Sequence, residues 1–228
     1  MMNRIYMVNS FKGGVGKSLV CMGLIDYLRQ LGEDCLLVDT DTSNPDVYKA
    51  YTNVIPCEMV DLDAGDGWID LINLCDLEEH RQRTVVINGA ARSNEGVSKF
   101  GDTLKGILPD LKRELVTFWV VNTQRDCVEL LKDYMQVMGG LPLHVIRNGY
   151  FGGEDKFEIY NNSALKKSVE KNGGKSLTIS ELAGRVSSVL YSDRKSIETA
   201  LTEMPLGNRA ELLRWRRDCK AMFDKALK

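Results

Sequence analysis

At 228 residues, with 43% hydrophobic and 27% charged residues, the chain has the composition of a soluble globular protein and can bury a sizeable core, as one α/β domain or two small ones. A formal net charge of -2 gives no global electrostatic case for nucleic-acid or membrane binding, so any such surface must be a local patch. No apolar run approaches the roughly 20 residues that a membrane-spanning helix needs. Six scattered cysteines (Cys21, Cys35, Cys57, Cys75, Cys127, Cys219) form no C-x-x-C pair and no metal-ligand spacing, and several sit inside apolar runs. That pattern predicts buried free thiols in a reducing compartment. With no signal-peptide pattern ahead of the first strand, the expectation is a cytoplasmic protein.

In chain order, the apolar run Ile5-Tyr6-Met7-Val8 predicts a strand, and Phe11-Lys12-Gly13-Gly14-Val15-Gly16-Lys17-Ser18 follows it. Strand, glycine-rich turn and helix together make a phosphate cradle. Glycines let successive N–H groups turn inward with no Cβ to block an anion, and the helix dipole adds positive potential at the same spot. Gly13, Gly14, Val15, Gly16, Lys17, Ser18 and Leu19 are the candidate phosphate-binding residues. Lys17 would reach the outer phosphates, and the Ser18 hydroxyl would ligate magnesium. A glycine-rich hairpin carrying two surface lysines is the alternative, and it leaves the flanking pattern unexplained.

The general P-loop pattern asks for glycine where this chain has Phe11, and it lacks the extra Lys12. Lys-Gly-Gly-x-Gly-Lys-Ser resembles the deviant P-loop of the ParA/MinD family of dimerising ATPases, which belong to the SIMIBI class of P-loop NTPases. The resemblance implies ATP and Mg2+ as cofactors and a nucleotide-sandwich homodimer in which Lys12 reaches into the partner's site.

Leu19, Val20, Leu24, Ile25, Leu28 and Leu31 recur with helical period up to Gly32, a helix-terminating position. Cys35-Leu36-Leu37-Val38 reads as a strand buried on both faces, ending in Asp39-Thr40-Asp41. Carboxylates at that end face the crevice where open α/β sheets bind ligands, although turn-forming aspartates would look the same. The resemblance extends here. It implies that Asp41 orients the attacking water and that Asp39 supports magnesium through water. The polar stretch Thr42 to Asp46 suits a mobile switch.

Val54 to Leu62 contains a possible edge strand, and Trp68 to Leu77 a helix. Thr84-Val85-Val86-Ile87 is another buried strand, closed by Asn88. The ParA/MinD pattern has an aspartate here that binds magnesium through water. Asn88 keeps an oxygen but loses the charge, so metal affinity or turnover is in question. A helix over Gly96 to Leu111, irregular in its second half, a strand over Leu115 to Val121 and a helix capped by Asp126 follow. Leu143 to Asn148 is the next strand. By resemblance Asn148 reads the adenine ring, its amide donating and accepting at once. An ordinary turn asparagine before Gly149 explains it equally well.

Ile159 to Val169 predicts a helix, Ser176 to Ile179 a last strand, Pro205 to Asn208 a turn, and Ala210 to Leu227 a long amphipathic helix. In the family a loop near this turn closes over the base. Seven basic residues between Arg209 and Lys228 make that segment +4, so Arg209 and Arg214 are candidates for non-specific DNA contacts. A solvated outer helix face accounts for the same charges, and a membrane role is disfavoured because no detachable basic tail follows.

The expected architecture is one domain over residues 1–228, a doubly wound, mainly parallel α/β sheet flanked by helices. The expected function is a ParA-type switch ATPase working with a ParB-like or other stimulating partner. The stretch Asp39 to Asp46 is similar to plasmid-encoded members of the StbB/TraL type, which implies plasmid partition, stability or conjugative transfer. Two alternatives are a nucleotide-dependent binding module with negligible hydrolysis and a P-loop small-molecule ligase or kinase.

Overall fold

In the computed structural model, which describes residues 3–228, seven parallel strands alternate with ten helices. The chain runs β1 (Asn3–Asn9), α1 (Lys17–Gln30), β2 (Cys35–Asp39), α2 (Asp46–Tyr51), β3 (Cys57–Met59) and α3 (Gly65–Asp76). It continues through β4 (Thr84–Asn88), α4 (Asn94–Leu111), β5 (Arg113–Val121), α5 (Arg125–Met138) and β6 (Leu143–Asn148). Short helices α6 (Glu158–Asn161) and α7 (Ala164–Lys171) lead to β7 (Ser176–Ile179), and α8 (Gly184–Ser192), α9 (Ile197–Glu203) and α10 (Leu206–Leu227) close the chain.

The sheet order is β3-β2-β4-β1-β5-β6-β7, with every pairing parallel. Strands β2 and β4 are buried at every residue, as helices on both faces require. Strand β1 sits in the middle with β4 on one side and β5 on the other. The chain therefore changes direction across the sheet beside β1, and a crevice opens there at the carboxyl ends. That geometry delivers the glycine loop, the ends of β2 and β4, and the end of β6 to one place.

Several local expectations shift by a few residues, each for a physical reason. Pro205 to Asn208 is not a turn. Pro205 is the N-cap of α10, and Leu206, Gly207 and Asn208 form its first turn. A fixed φ of -54° just ahead of a helix is preorganised for that start. The predicted helix from Ile159 to Val169 is two helices. Ser163 breaks it by accepting the Lys166 N–H at 3.1 Å, an N-cap that restarts the chain as α7. Asp126 lies inside the first turn of α5 rather than capping it; Gln124 is the N-cap, and Asn122 Oδ1 takes its N–H at 2.9 Å. Helix α4 stays regular to Leu111 despite Pro109, because it ends there through Lys112 in the left-handed conformation.

One core side chain makes stability depend on pH. His144, 6% exposed, stacks on Phe118 with ring centroids 5.4 Å apart, and its Nδ1 accepts the Lys175 backbone N–H at 3.2 Å. Burial, aided by the Lys175 charge, lowers its pKa from 6.5 to about 4. A histidine less basic in the folded than in the unfolded state takes up its proton preferentially on unfolding. Its contribution is therefore complete above about pH 6.5 and drains away as pH falls toward about 4, a loss of about 3 kcal/mol. Urea unfolding at pH 7 and pH 4.5 should show this loss. In His144→Asn, whose amide oxygen can still take the Lys175 N–H, the difference between the two pH values should shrink.

Candidate functional site

The glycine loop wraps the carboxyl end of β1. Gly14 (φ 72°) and Gly16 (φ 98°) both occupy the left-handed region, and Gly16 is the N-cap of α1. That conformation is cheap only without a Cβ. Phe11, at the position where the general pattern has glycine, points into the core. Its ring meets Trp119 edge-on at 5.1 Å and Tyr134 at 5.9 Å. The loop is thus anchored by an aromatic plug between β5 and α5. A cavity of about 290 Å³ lies over it, lined by Gly13, Gly14, Gly16, Lys17 and Ser18, with Asp41, Asn44, Gly89, Ala91 and Tyr191 around the rim.

The two lysines have different surroundings. Lys17 is 8% exposed and donates from Nζ to the Lys12 carbonyl at 2.9 Å. Burial pulls its ammonium down to about 8, opposed by the Asp41 carboxylate facing it. An anion in the cradle would relieve that desolvation. Lys12 projects away from the cradle, and its ammonium donates to Gln124 and Asp126 at the start of α5. It holds the Asp126 carboxyl below the usual carboxylate range. The lysine expected to cross into a partner is therefore seated in its own chain.

At the ends of β2 and β4 the acidic residues are built into a network. Asp39 is fully buried and takes three donors: Asn88 Nδ2 at 2.9 Å, the Tyr48 N–H at 3.0 Å and the Asp41 N–H at 3.2 Å. Burial pushes its carboxyl up, and those donors oppose the shift. The hydrogen bond to Asp39 fixes the Asn88 amide so that Oδ1 is the other face, and this buried oxygen has no partner. An orphaned acceptor costs free energy unless something else satisfies it. Magnesium-bound water would do so. The donor set of Ser18, Asp39 and Asn88 Oδ1 thus fits a hydrated hard cation carried in with phosphates. Most of the Asp39 hydrogen-bonding capacity is already committed to protein N–H groups, so its clearest role is to hold Asn88 and the start of α2.

Asp41 is half-buried, accepts the Asn44 N–H at 3.1 Å and faces the cradle. Between the two strand ends lies Thr40. Its hydroxyl donates to the Asn88 carbonyl at 2.9 Å and accepts the Ala90 N–H at 2.9 Å. Thr40 therefore ties the ends of β2 and β4 together, a role invisible in a residue that reads as the spacer of Asp-x-Asp.

Asn148 arrives from β6, with its Nδ2 donating to the Val15 carbonyl at 2.8 Å and its Oδ1 accepting the Tyr150 N–H at 3.0 Å. The turn expectation is met, because the amide oxygen closes its own turn; bracing the glycine loop is a further role that the sequence does not announce. One N–H and one lone pair of the amide remain. Leu19 starts α1 with a half-buried side chain.

Arg214 does not present a free cation to DNA. Its guanidinium is taken up by Glu211 and Asp218, both at 2.7 Å, and by the Glu181 carbonyl at 2.7 Å. Arg216 pairs with the buried Asp26, while Lys220 and Lys228 pair with Asp224. Of these pairs only Arg216–Asp26 draws on an acid outside the terminal segment, so most of its net positive charge remains, with Arg217 and Lys225 exposed. Arg209 is half-buried. Among the described residues no helix is long and apolar enough to cross a membrane.

Residues 6–148 match the CobQ/CobB/MinD/ParA nucleotide binding domain, a span from within β1 to the end of β6 that contains the glycine loop, β2 and β4. Over 224 residues the chain is 53% identical to protein MobD of Acidithiobacillus ferrooxidans, with 98% of each chain covered. It is 25% identical over 222 residues to a protein TraL of Escherichia coli, with 90% of each covered. Among solved structures it is similar to a candidate plasmid partition protein of Borrelia burgdorferi bound to AMPPNP, with TM-score 0.62, 16% identity and 99% of each chain covered. A MinC:MinD cell division complex of Aquifex aeolicus aligns with TM-score 0.50 at 16% identity over 94% of each chain. At those identities the structural likenesses speak to the fold, a MinD/ParA-type P-loop NTPase. From the domain match and the 53% relative together, the chain belongs to the CobQ/CobB/MinD/ParA family of nucleotide-binding domains.

Proposed function

We propose that this protein is a cytoplasmic ATP- and magnesium-dependent switch ATPase of the ParA type, which closes as a homodimer around two nucleotides. The observation that carries the reading is the division of labour between its two loop lysines. Lys17 lies buried under the cradle, where it can meet the outer phosphates of its own nucleotide. Lys12 points to the start of α5 instead, partly exposed, with only Gln124 and Asp126 to leave. An exposed pair of that kind is worth at most about 1 kcal/mol, so exchanging it for a partner's phosphate is favourable.

Within this reading the loop N–H groups and Lys17 bind and orient the phosphates, and Asp41 positions the attacking water. Magnesium, when bound, neutralises developing phosphate charge. Ser18 would hold it directly and Asn88 Oδ1 through a bound water, while Asp39 and Thr40 keep the two switches in register. The relatives point to plasmid partition, stability or conjugative transfer as the setting. The partners would be a ParB-like or other stimulating protein and non-specific DNA, the latter met by Arg209 rather than Arg214.

Asn88 supports a second reading: with the metal-facing carboxylate replaced by an amide, the same dimer could bind and release nucleotide with negligible turnover. One set of measurements separates these. Solution mass is determined without nucleotide, with ADP and with a non-hydrolysable ATP analogue, each with and without DNA. Dimers are expected only with the triphosphate analogue, and Lys12→Ala is expected to remain monomeric. Dimerisation of Lys12→Ala equal to wild type would remove the proposal. Steady-state phosphate release lost in Asp41→Ala identifies an ATPase; absence of release in the wild type leaves the binding module.

A further inference from the structure

The rim of the phosphate cavity includes one residue from a part of the chain remote from every motif. Tyr191 belongs to α8, yet it lines the same cavity as Gly16, Lys17 and Ser18. Its neighbour Leu190 is fully buried and fixes the helix, while Tyr191 is half-buried and borders the opening. The helix stops directly after it. The Lys195 N–H returns to the Leu190 carbonyl at 3.2 Å, with Arg194 in the left-handed conformation at φ 52°. That closing turn sets where the end of α8, and hence the ring, can lie.

The cavity lining that Tyr191 shares, the glycine loop with Lys17 and Ser18, points to an anion. The backbone N–H of Leu19, in the first turn of α1, faces the phenol oxygen, and Asp46 at the start of α2 is a charged neighbour. Burial, with Asp46 adding to it, raises the phenol well above its ordinary range, so the group stays an O–H donor at every usable pH. Leu19 has no side-chain donor for a ligand over the helix start, and its N–H is turned to the phenol oxygen. The phenol O–H is the donor left to face the cavity.

We propose that Tyr191 donates its hydroxyl to a phosphate oxygen seated over the start of α1, one common to nucleoside di- and triphosphates. The inference rests on the nucleotide reading above and adds to it a contact from the carboxyl-terminal helical layer. It also gives that layer a connection to nucleotide occupancy. Helix α8 packs on α2, α9 and α10, and α2 carries the Tyr48 N–H that holds Asp39. A nucleotide drawn against Tyr191 would thus be felt both at the first switch and at the outer helices.

The test is Tyr191→Phe, which keeps the ring and removes the hydroxyl, both the donor to phosphate and the acceptor facing the Leu19 N–H. Fluorescence titrations with methylanthraniloyl-ADP and a methylanthraniloyl non-hydrolysable ATP analogue, in Mg2+, give the two affinities. Melting of the ligand-free variant reports folding. The expected result is a loss on the order of tenfold for both nucleotides by the same factor, with an essentially unchanged melting temperature. Affinities within twofold of wild type for both nucleotides would overturn the proposal. So would a loss confined to the triphosphate, which would place the hydroxyl at the far end of the cradle. A loss accompanied by a large melting shift is resolved by Tyr191→Leu. Equal losses in the two variants mean the ring's packing is responsible and overturn the role of the hydroxyl; a loss that follows melting temperature across the pair does the same. If wild-type protein binds neither nucleotide while remaining folded, the nucleotide reading itself fails, a result distinct from any produced by the variants.

Discussion

Gly16→Ala should weaken nucleotide binding by at least about 100-fold while leaving the sheet folded. Three costs converge at this position. At φ 98° an L-residue is strained by about 1–2 kcal/mol. A Cβ there would stand 2.3 Å from Asn148 Nδ2, well inside contact distance. Asn148 would have to swing away from the Val15 carbonyl that it holds at 2.8 Å, leaving buried polar atoms unpaired at a further 1–3 kcal/mol or so. The loop and the strand end that brace each other would part, and the N–H groups would lose their common focus. Gly14→Ala is the internal comparison. It is strained by its φ of 72°, but an added Cβ meets nothing within 4 Å, so its effect on stability should be smaller. Titration with a fluorescent nucleotide, alongside circular dichroism, measures both. A Gly16→Ala protein that binds within tenfold of wild type would show that Asn148 does not brace the cradle.

Gly96→Ala should cost about 3 kcal/mol or more of stability, which corresponds to a drop in Tm of roughly 10 °C for a chain of this size. Its added Cβ would lie 1.8 Å from the Leu62 carbonyl oxygen and 3.3 Å from Trp68 Nε1, which already donates to that carbonyl at 2.9 Å. Gly67 faces the neighbouring carbonyl of Asp61 at the same 1.8 Å. Helices α3 and α4 therefore close on the Asp61–Leu62 backbone from two sides, and only hydrogen fits between. Backbone cannot yield as a side-chain tip can, so the helices must separate. The consequence reaches the site. Asp63, the next residue, lines a cavity of about 210 Å³ together with Arg92 and Asp41. Differential scanning calorimetry of Gly96→Ala and Gly67→Ala measures the loss. Wild-type melting in both would mean that the helices stand further apart than they do here.

Much of this arrangement was legible in the sequence where the controlling physics is local. The glycine loop, the helix stop at Gly32 (φ 81°) and the wholly apolar strands follow from backbone freedom and residue period. Misreadings occurred where a neighbour in sequence offered the wrong cue. Pro205 suggested a turn when it was opening a helix, and Asp126 suggested a cap when its carboxylate was serving Lys12. Arg214 looked like a free cation because Glu211 and Asp218 lie one turn away on either side, and charge counting does not register such geometry.

Local residue pattern alone specifies a strand, a glycine turn and a helix that gather N–H groups and Lys17 at one spot. It also specifies that carboxylates stand at the end of the second strand. Those are consequences of φ freedom and of periodicity over a few residues. Long-range packing selects the distant groups that complete the site: Asn148 against Val15 across 133 positions, Asn88 turned onto Asp39, and Tyr191 lining one cavity with Ser18. Strand order sets those encounters by placing β1 between β4 and β5, so that remote strand ends share one crevice; no local pattern encodes it.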